Sequence, residues 1–576
     1  MSRRRRIALL FVVAAGALAL PAAAWAHAVL LHTSPLPSSV VNRPPPVVLL
    51  TYSEAVEPRF AIVSVTNAAG KQQIAGPPRR SATDPKTLVV SLHHLAQGWY
   101  LVFWRAISVD GHPVRGAFTF AVGPNPGPAP QFPVPSISET AATPSLVTAR
   151  AIVFLSVMAA IGLFILRIAT ARPVVRRVSE TRLRAVSIAF GIAAAIALIA
   201  TPVYVVMATA QFALRSSFDL GNVLPLVRAS AFGRGYLDLE LTFALFVLAA
   251  AIALWVDRPD REQRSIAELL AGAGALLAAA ATLFVPGLSG HAAQTPPRGL
   301  SVALDWLHLA AGSVWIGGLI GLLVLWRSLP AARRVTGLAV CVPRFSNTAF
   351  VSVLALIGSG VGASIIHLPT LSSLWQTSYG QALLVKIGLL SAALLLASVN
   401  LLRTKPRLAS YGERPDLGPG AAVLLRRLVS GETLLVAAAV VAAAVLSSLA
   451  PPAKALAAAS KAIARVGPGP VTEAVNENGY RLEIRVAPNR AAAPNTFAIR
   501  ITKDGVPVRH ATVIVGFAML DMEMGTQTHL LPEKGPGLYQ LSTPALVMVG
   551  HWGLSFEVTP PGKQPFTAVF VDRAAG

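Results

Sequence analysis

Hydrophobic and polar positions follow two different patterns along this chain. Toward both ends, short stretches alternate apolar and polar residues, whereas the middle carries eight long apolar runs with few interruptions. Alternation with a period of two is typical of half-buried strands, and an apolar run of about 20 residues can cross a membrane as a helix. The pattern therefore predicts a multi-domain membrane protein, with an eight-helix transmembrane bundle between two β domains.

The two β domains are predicted as all-β sandwiches over residues 27–122 and 471–576. Strand-like stretches, separated by Pro, Gly and Asn, lie at 47–52, 61–65, 87–90, 100–104, 117–120, 480–486, 496–501 and 511–517. Residues 123–145 are rich in Pro, which predicts a semi-rigid extended linker. A second, short linker is predicted at 451–470.

The membrane domain is predicted over residues 146–450. Its spans lie at about 147–168, 185–209, 239–256, 266–288, 302–325, 346–367, 381–402 and 428–449. With the first β domain outside, the inside loops carry 18 Lys and Arg residues and the outside loops carry four. This asymmetry agrees with the positive-inside rule. It predicts a multi-pass protein of the bacterial plasma membrane, with both β domains on the outer, periplasmic side.

Residues 1–26 are typical of a secretory signal peptide. Arg3 to Arg6 give a basic start, an apolar run follows from Ile7 to Leu20, and Ala24-Trp25-Ala26 is a small-x-small cleavage site. Cleavage there would make His27 the new N-terminus. A terminal histidine offers its α-amine, with a pKa of about 8, and its imidazole to a single metal ion.

Composition narrows the chemistry further. Hydrophobic residues make up 54% and charged residues 13%, and the basic residues behind the net charge of +23 lie mostly between apolar runs. The predicted partner is therefore a lipid bilayer and not a nucleic acid. Cys341 is the one cysteine, which excludes disulfides and thiolate zinc sites. Metal chemistry must use His, Met, carboxylates or the terminal amine.

The first candidate site joins His27 to Asp110-Gly111-His112. Across a turn, Asp110 and His112 can point to the same side, which gives three nitrogens and one oxygen together with the terminal histidine. Such a donor set suits Cu(II). The alternative is that residues 110–113 form an ordinary turn.

The second candidate site lies in the membrane domain. Asp305 and His308 share a helix face because they are three residues apart. The predicted topology puts both in the outer leaflet, with other polar residues: His291, His367, Lys386, Asp238 and Glu240. Such groups need a polar cavity or each other. Two interpretations stay open: a vestibule that accepts copper, with His291, Asp305 and His308 as ligands, or an Asp305–Lys386 ion pair with interfacial histidines.

The third candidate site is in the C-terminal domain. Four of the seven methionines, Met519, Met522, Met524 and Met548, occur there with His529 and His551. Thioethers favour Cu(I), so Met522, Met524, Met548 and His551 are candidate ligands. The alternation over 521–524 is equally typical of a half-buried strand, in which methionine fills the core.

Several motifs resemble known copper-protein families. Residues 27–123 resemble CopC through Tyr52-Ser53-Glu54, Trp104 to Pro113 and Gly116 to Phe120. The resemblance implies Cu(II) ligands at His27, Asp110 and His112, with Glu54 as a further ligand. The membrane region resembles CopD through Ser289 to Ala292, Asp305 to His308, Val314 to Gly318, Arg344 to Ser346 and Tyr379 to Lys386. The C-terminal domain resembles YtkA-like domains.

A CopC–CopD fusion is characteristic of YcnJ-like copper proteins, which are linked to copper uptake. The resemblance implies a non-enzymatic protein that captures Cu(II) outside the membrane and passes it to the transmembrane domain for copper uptake or homeostasis. Cu(I) is a second cargo form, and a periplasmic copper donor or reductant is an unidentified partner. The alternative is a membrane oxidoreductase that depends on copper, or on haem bound by His291, His308 or His367.

Overall fold

The computed structural model describes residues 30–37, 39–52, 55–108, 113–126, 143–178, 181, 183–290, 292, 297–368, 371, 373–376, 378–449, 462–491, 493–520, 527–547 and 549–575. The described helices of 143–367 and 381–449 form one compact unit. The two β domains form another, together with the described residues of 368–380.

The N-terminal β domain is a sandwich of two four-stranded sheets, as the alternating pattern predicts. The strand orders are β1-β3-β6-β5 and β2-β8-β7-β4. Between the sheets, the ring of Tyr52 meets Trp104 edge-on, with centroids 5.6 Å apart. The strands are β1 Leu30–Ser34, β2 Val40–Val41, β3 Val47–Tyr52, β4 Ile62–Asn67, β5 Arg79–Arg80, β6 Thr87–Ser91, β7 Gly98–Ile107 and β8 Pro113–Val122.

The C-terminal β domain also packs two sheets face to face. Their orders are β10-β11-β12-β17-β16, with β13 paired to β12, and β15-β14-β18-β19-β9. Strand β9 lies within the stretch predicted as a linker and pairs in parallel with β19. The strands are β9 Ala464–Val466, β10 Val471–Glu477, β11 Tyr480–Ala487, β12 Asn495–Lys503, β13 Val506–Pro507, β14 Thr512–Met519, β15 Gln527–Leu530, β16 Glu533–Gly535, β17 Leu538–Thr543, β18 Gly550–Thr559 and β19 Phe566–Ala574.

The two β domains contact each other through β8. The Ala117 N–H donates to the Val547 carbonyl oxygen at 3.2 Å. Around this contact, Leu101, Phe103 and Ala117 are buried in a cluster separate from the sandwich core. Strand β7 is therefore buried on both faces, which accounts for its nearly continuous apolar sequence.

The membrane unit contains, among its described residues, eight helices that are long and apolar enough to cross a membrane, which confirms the predicted number. An additional helix, α3, connects the second and third spans. The helices are α1 Pro144–Ile165, α2 Arg184–Phe212, α3 Leu220–Ala229, α4 Ala231–Val256, α5 Ile266–Ser289, α6 Arg298–Ser328, α7 Arg334–His367, α8 Ser378–Val399 and α9 Leu417–Leu446. Short helical segments of this unit are Leu166–Thr170, Arg172–Arg177, Ala331–Arg333, Asn400–Thr404 and Lys405–Ala409. Two further segments, Pro58–Phe60 and Ser373–Gln376, belong to the unit that contains the β domains.

Helices α1 and α6 form the centre of this unit. They approach so closely that a Cβ atom added at Gly317 would lie 2.4 Å from Cα of Gly162. Small residues at such a crossing allow two backbones to pack directly. Helix α6 is therefore held in the interior, and it carries Asp305, His308 and Trp315.

A buried ion-pair network ties α1 to the connection between α4 and α5. Arg167 pairs with Asp257 at 2.7 Å, and Arg172 pairs with Asp257 at 3.3 Å and Glu268 at 3.0 Å. These four side chains are less than 10% exposed. Glu268 also accepts hydrogen bonds from Ser265 in a capping box at the start of α5. The network thus fixes the helix ends on the Arg-rich side of the bundle.

Candidate functional site

The predicted copper ligands of the N-terminal domain, His27, Glu54, Asp110 and His112, lie outside the described residues. The described residues that flank them converge at one end of the sandwich. Leu30 pairs with Tyr52, three residues after His27 and two before Glu54. Val56 bridges to Ser108.

Strands β7 and β8 pair up to the residues that flank the undescribed stretch with Asp110 and His112. Ile107, the last residue of β7, pairs with Pro113, the first residue of β8. The Glu57 N–H donates to the Ile107 carbonyl oxygen at 2.8 Å, so the segment after Glu54 lies beside the end of β7. Three extended residues span at most about 11 Å. The chain connectivity is therefore compatible with one shared site, which stays a prediction.

The membrane candidate His308 links three helices. From α6, its Nδ1 lies 3.1 Å from Oγ of Ser359 on α7. Its Nε2 lies 3.4 Å from Nζ of Lys386 on α8. The side chain is half-buried. These residues are far apart in the sequence, and the packing of α6, α7 and α8 brings them together.

The hydrogen bonds of Ser359 determine which nitrogen of His308 carries the proton. The Ser359 hydroxyl donates its one proton to the Ala355 carbonyl oxygen at 2.7 Å. In that arrangement its oxygen accepts from Nδ1 of His308, and the Lys386 ammonium, which can only donate, faces Nε2. Both contacts fit an imidazole with its proton on Nδ1. The Nε2 lone pair is left for a cation. In the described structure that cation is the Lys386 ammonium.

Two glycines make room for the polar side chains of α6. A Cβ atom at Gly287 on α5 would lie 3.2 Å from Oδ2 of Asp305, and one at Gly360 on α7 would lie 3.3 Å from Cε1 of His308. Asp305 also interacts electrostatically with Lys386. Asp305, His308 and Lys386 therefore form one polar cluster inside the bundle, which we call the α6–α8 cluster.

The remaining membrane candidates contribute less to this geometry. His291 lies outside the described residues. His367 is half-buried at the end of α7, Glu240 is half-buried in α4, and Asp238 is exposed. Within the described part of the chain, no three His, Cys, Asp or Glu side chains are grouped closely enough to hold a metal ion. The copper vestibule and the Asp305–Lys386 ion pair therefore both stay open as interpretations of Asp305 and His308.

The C-terminal candidates are only partly described. Met522, Met524 and Met548 lie outside the described residues. Met519 is 2% exposed within the sandwich core, which fits the core-filling interpretation at that position. His529 packs against Phe517, and burial lowers its pKa. His551 is exposed on β18 opposite Arg573.

Sequence reasoning missed a second polar group in the membrane unit. The Trp315 indole N–H donates to Oε1 of Glu432 at 2.8 Å, and the Asn400 amide N–H donates to Oε2 at 3.4 Å. Glu432 and Asn400 stand out in the sequence only as isolated polar residues within apolar runs. Their separation in the chain hides the fact that they share one site, which we call the Glu432 site.

Three family models match this chain in order. The CopC domain model matches residues 30–123, the model described as Copper resistance protein D matches residues 339–446, and the YtkA-like model matches residues 474–557. The second match contains Ser359, Lys386, Asn400 and Glu432. Asp305 and His308 precede it.

Curated relatives match either nearly the whole chain or its N-terminal domain. Copper transport protein CutJ of Bacillus subtilis (strain 168) is 27% identical over 568 residues, which cover 95% of this chain and 94% of that relative. Protein YobA of Escherichia coli (strain K12) is 37% identical over 99 residues, 17% of this chain and 80% of the relative. Copper resistance protein C of Xanthomonas campestris pv. juglandis is 33% identical over 127 residues, 20% of this chain and 96% of the relative. The chain therefore belongs to the CopC family and joins CopC, CopD and YtkA-like domains in one polypeptide.

Proposed function

We propose that this protein captures Cu(II) outside the plasma membrane and passes copper through its helical unit into the cell. The observation that carries the proposal is the combination, in one chain, of a CopC domain with a bundle whose interior presents the Nε2 lone pair of His308. The similarity to Copper transport protein CutJ over 95% of the chain supports a role in copper transport.

The capture step uses the mature N-terminus. His27 would supply its α-amine and imidazole, and Asp110 and His112 would complete the donor set, with Glu54 beside them. The flanking pairs Leu30–Tyr52, Val56–Ser108 and Ile107–Pro113 support this arrangement. In the uncleaved chain the nitrogen of His27 is an amide, so the site requires removal of residues 1–26.

The transfer step uses the α6–α8 cluster. Copper arriving there displaces the Lys386 ammonium from Nε2 of His308, while Asp305 balances the added positive charge. His291 is the third candidate ligand. Entry into the cell as Cu(I) requires a reductant, and a periplasmic copper donor is a further partner. We expect cargo movement without catalytic turnover, and the outer side of the membrane as the location of both β domains.

Two measurements test this proposal. Cellular copper content, compared with and without the protein at equal external copper, should rise when the protein is present; an unchanged or lower content contradicts uptake. Cu(II) affinity of the mature protein should fall when one residue is added before His27. The matched control is His32→Ala, which changes an exposed histidine of the same domain and should leave the affinity unchanged.

A further inference from the structure

Glu432 of α9 is a carboxylate held inside the bundle by two neutral donors. It is 3% exposed and receives hydrogen bonds from Trp315 of α6 and Asn400, which begins the π-helical turn Asn400–Thr404 after α8. It forms no ion pair with the described residues. An ionised carboxylate without a basic partner is costly at this depth, although the two hydrogen bonds offset part of the cost.

The turn Asn400–Thr404 holds two buried polar oxygens, one of them on Asn400 itself. Oδ1 of Asn400 and Oγ1 of Thr404 are buried and have no hydrogen-bond partner within the described residues. Asn400 is 9% exposed and Thr404 is fully buried. π-Helical turns of this kind are frequent at functional sites.

The amide of Asn400 can serve both protonation states of Glu432. With the carboxylate ionised, Nδ2 donates to Oε2. Turning the amide by half a rotation exchanges Nδ2 for Oδ1, which would then accept the O–H of a protonated Glu432. Both states of the carboxyl group would therefore have a hydrogen-bond partner.

Charged groups on the helices packed against α9 leave Glu432 without a competing cation. Arg150 of α1 bonds to Tyr204 and Ser448, Arg167 pairs with Asp257, and Lys405 bonds to Asn347. Arg344 of α7 donates to the Val340 carbonyl oxygen. Asp305, His308 and Lys386 belong to the α6–α8 cluster. Other charged or titratable side chains on these elements are exposed or lie nearer the helix ends: Arg298, Arg327, Arg334, His367, Arg403, Arg407, Arg426 and Arg427.

We propose that Glu432 and Asn400 form a proton-binding site within the membrane, with Trp315 positioning the carboxyl group. Oxygen donors and one titratable group suit a proton, whereas copper prefers nitrogen and sulfur. His308 lies seven residues before Trp315 on the same face of α6, about 10 Å away along the helix axis. Copper at His308 adds positive charge to a cluster that already holds the Lys386 ammonium, and this added charge favours the ionised carboxylate. We therefore expect copper entry to be linked to the release of one proton from Glu432, and this linkage rests on the proposed function.

Infrared spectroscopy of the purified full-length protein without copper tests the proton site directly. The C=O stretching band of a protonated carboxylic acid should titrate with pH, disappear in Glu432→Gln and remain in the exposed control Glu413→Gln. If Glu432→Gln does not fold, Asn400→Ala gives the second test. Both protonation states lose a hydrogen bond in this variant, but the bond to the ionised carboxylate is the stronger of the two, so the band should persist to a pH about one unit higher. Absence of any band sensitive to Glu432 or Asn400 overturns the proposal.

Copper uptake into proteoliposomes tests the linkage. Wild-type uptake should respond to a pH gradient, whereas Glu432→Gln should lose this response and Glu413→Gln should keep it. An unchanged response in Glu432→Gln overturns the linkage. If the wild-type protein moves no copper, the proposed function fails, and the infrared titration still decides whether Glu432 binds a proton.

Discussion

The Lys386 ammonium lies 3.4 Å from Nε2 of His308, so the lone pair of the imidazole faces a cation. Asp305 interacts electrostatically with the same lysine. Under the proposed function, the ion-pair and vestibule interpretations of this cluster are compatible, because the lysine would occupy the place of the copper ion until copper binds. The cluster is preorganised by the hydrogen bond of His308 to Ser359.

Ser359→Ala should weaken copper uptake without unfolding the bundle. The substitution removes the acceptor that keeps the proton on Nδ1 of His308, so the proton can move to Nε2 and block the lone pair. Loss of such an outer partner lowers metal affinity by about 10- to 100-fold. The measurement is the copper concentration that gives half-maximal uptake.

Ser364→Ala is the matched control for this substitution. Ser364 lies on the same helix and donates to the Gly360 carbonyl oxygen at 2.8 Å, without a hydrogen bond to His308. Its loss should leave uptake unchanged. Equal uptake by the Ser359 and Ser364 variants would show that the imidazole tautomer does not matter for transport.

Gly360→Ala should displace the imidazole of His308. The added Cβ would lie 3.3 Å from Cε1, closer than most such contacts, so the ring must shift by a few tenths of an ångström. Uptake should fall, though less than in Ser359→Ala, because the hydrogen bond to Ser359 can re-form. Gly358→Ala is the control, since its Cβ would meet nothing within 4 Å. A similar loss in both variants would point to helix packing instead.

The sequence predicts those features of the fold that depend on neighbouring residues. The first span, predicted at about 147–168, is found at Pro144–Thr170, because an uninterrupted apolar run determines a membrane helix locally. The shared helix face of Asp305 and His308 follows from their spacing. Strand β9 could not be predicted, because its three residues are defined only by pairing with β19.

The polar contacts of the bundle could not be predicted for a related reason. His308 meets Ser359 across 51 residues, and Trp315 meets Glu432 across 117 residues. A serine or a tryptophan within an apolar helix does not indicate its partner, because that partner lies far away in the chain. Only the packing of α6 against α7 and α9 selects these partners. The roles of Gly287 and Gly360 also cannot be recognised from the sequence, because each glycine only leaves room for a side chain on another helix.

Arg172→Ala should destabilise the bundle strongly. The Arg172 guanidinium lies between Asp257 and Glu268, and its removal leaves both carboxylates buried with less compensation. Breaking a buried pair in this way costs about 3–5 kcal/mol. The free energy of unfolding in detergent micelles measures the effect. Arg176→Ala is the control, because Arg176 pairs with Glu262, which is 86% exposed. It should cost less than about 1 kcal/mol, and equal losses would contradict the role of burial.

The C-terminal β domain should lose stability as the pH rises from about 4 to about 6. Burial raises the pKa of Asp572 from 3.8 to about 6, although the Asn489 amide donates to its Oδ1 at 2.8 Å and the charge of His551 favours ionisation. The folded domain therefore binds a proton more tightly than the unfolded chain within this window, and that advantage disappears as the pH passes the folded pKa. Asp572→Asn should remove the slope. Hydrogen exchange of the β18 and β19 amides, corrected for intrinsic rates, measures it, and Glu557→Gln, an exposed carboxylate on β18, should keep it. A slope that persists in Asp572→Asn would assign the pH dependence to another group.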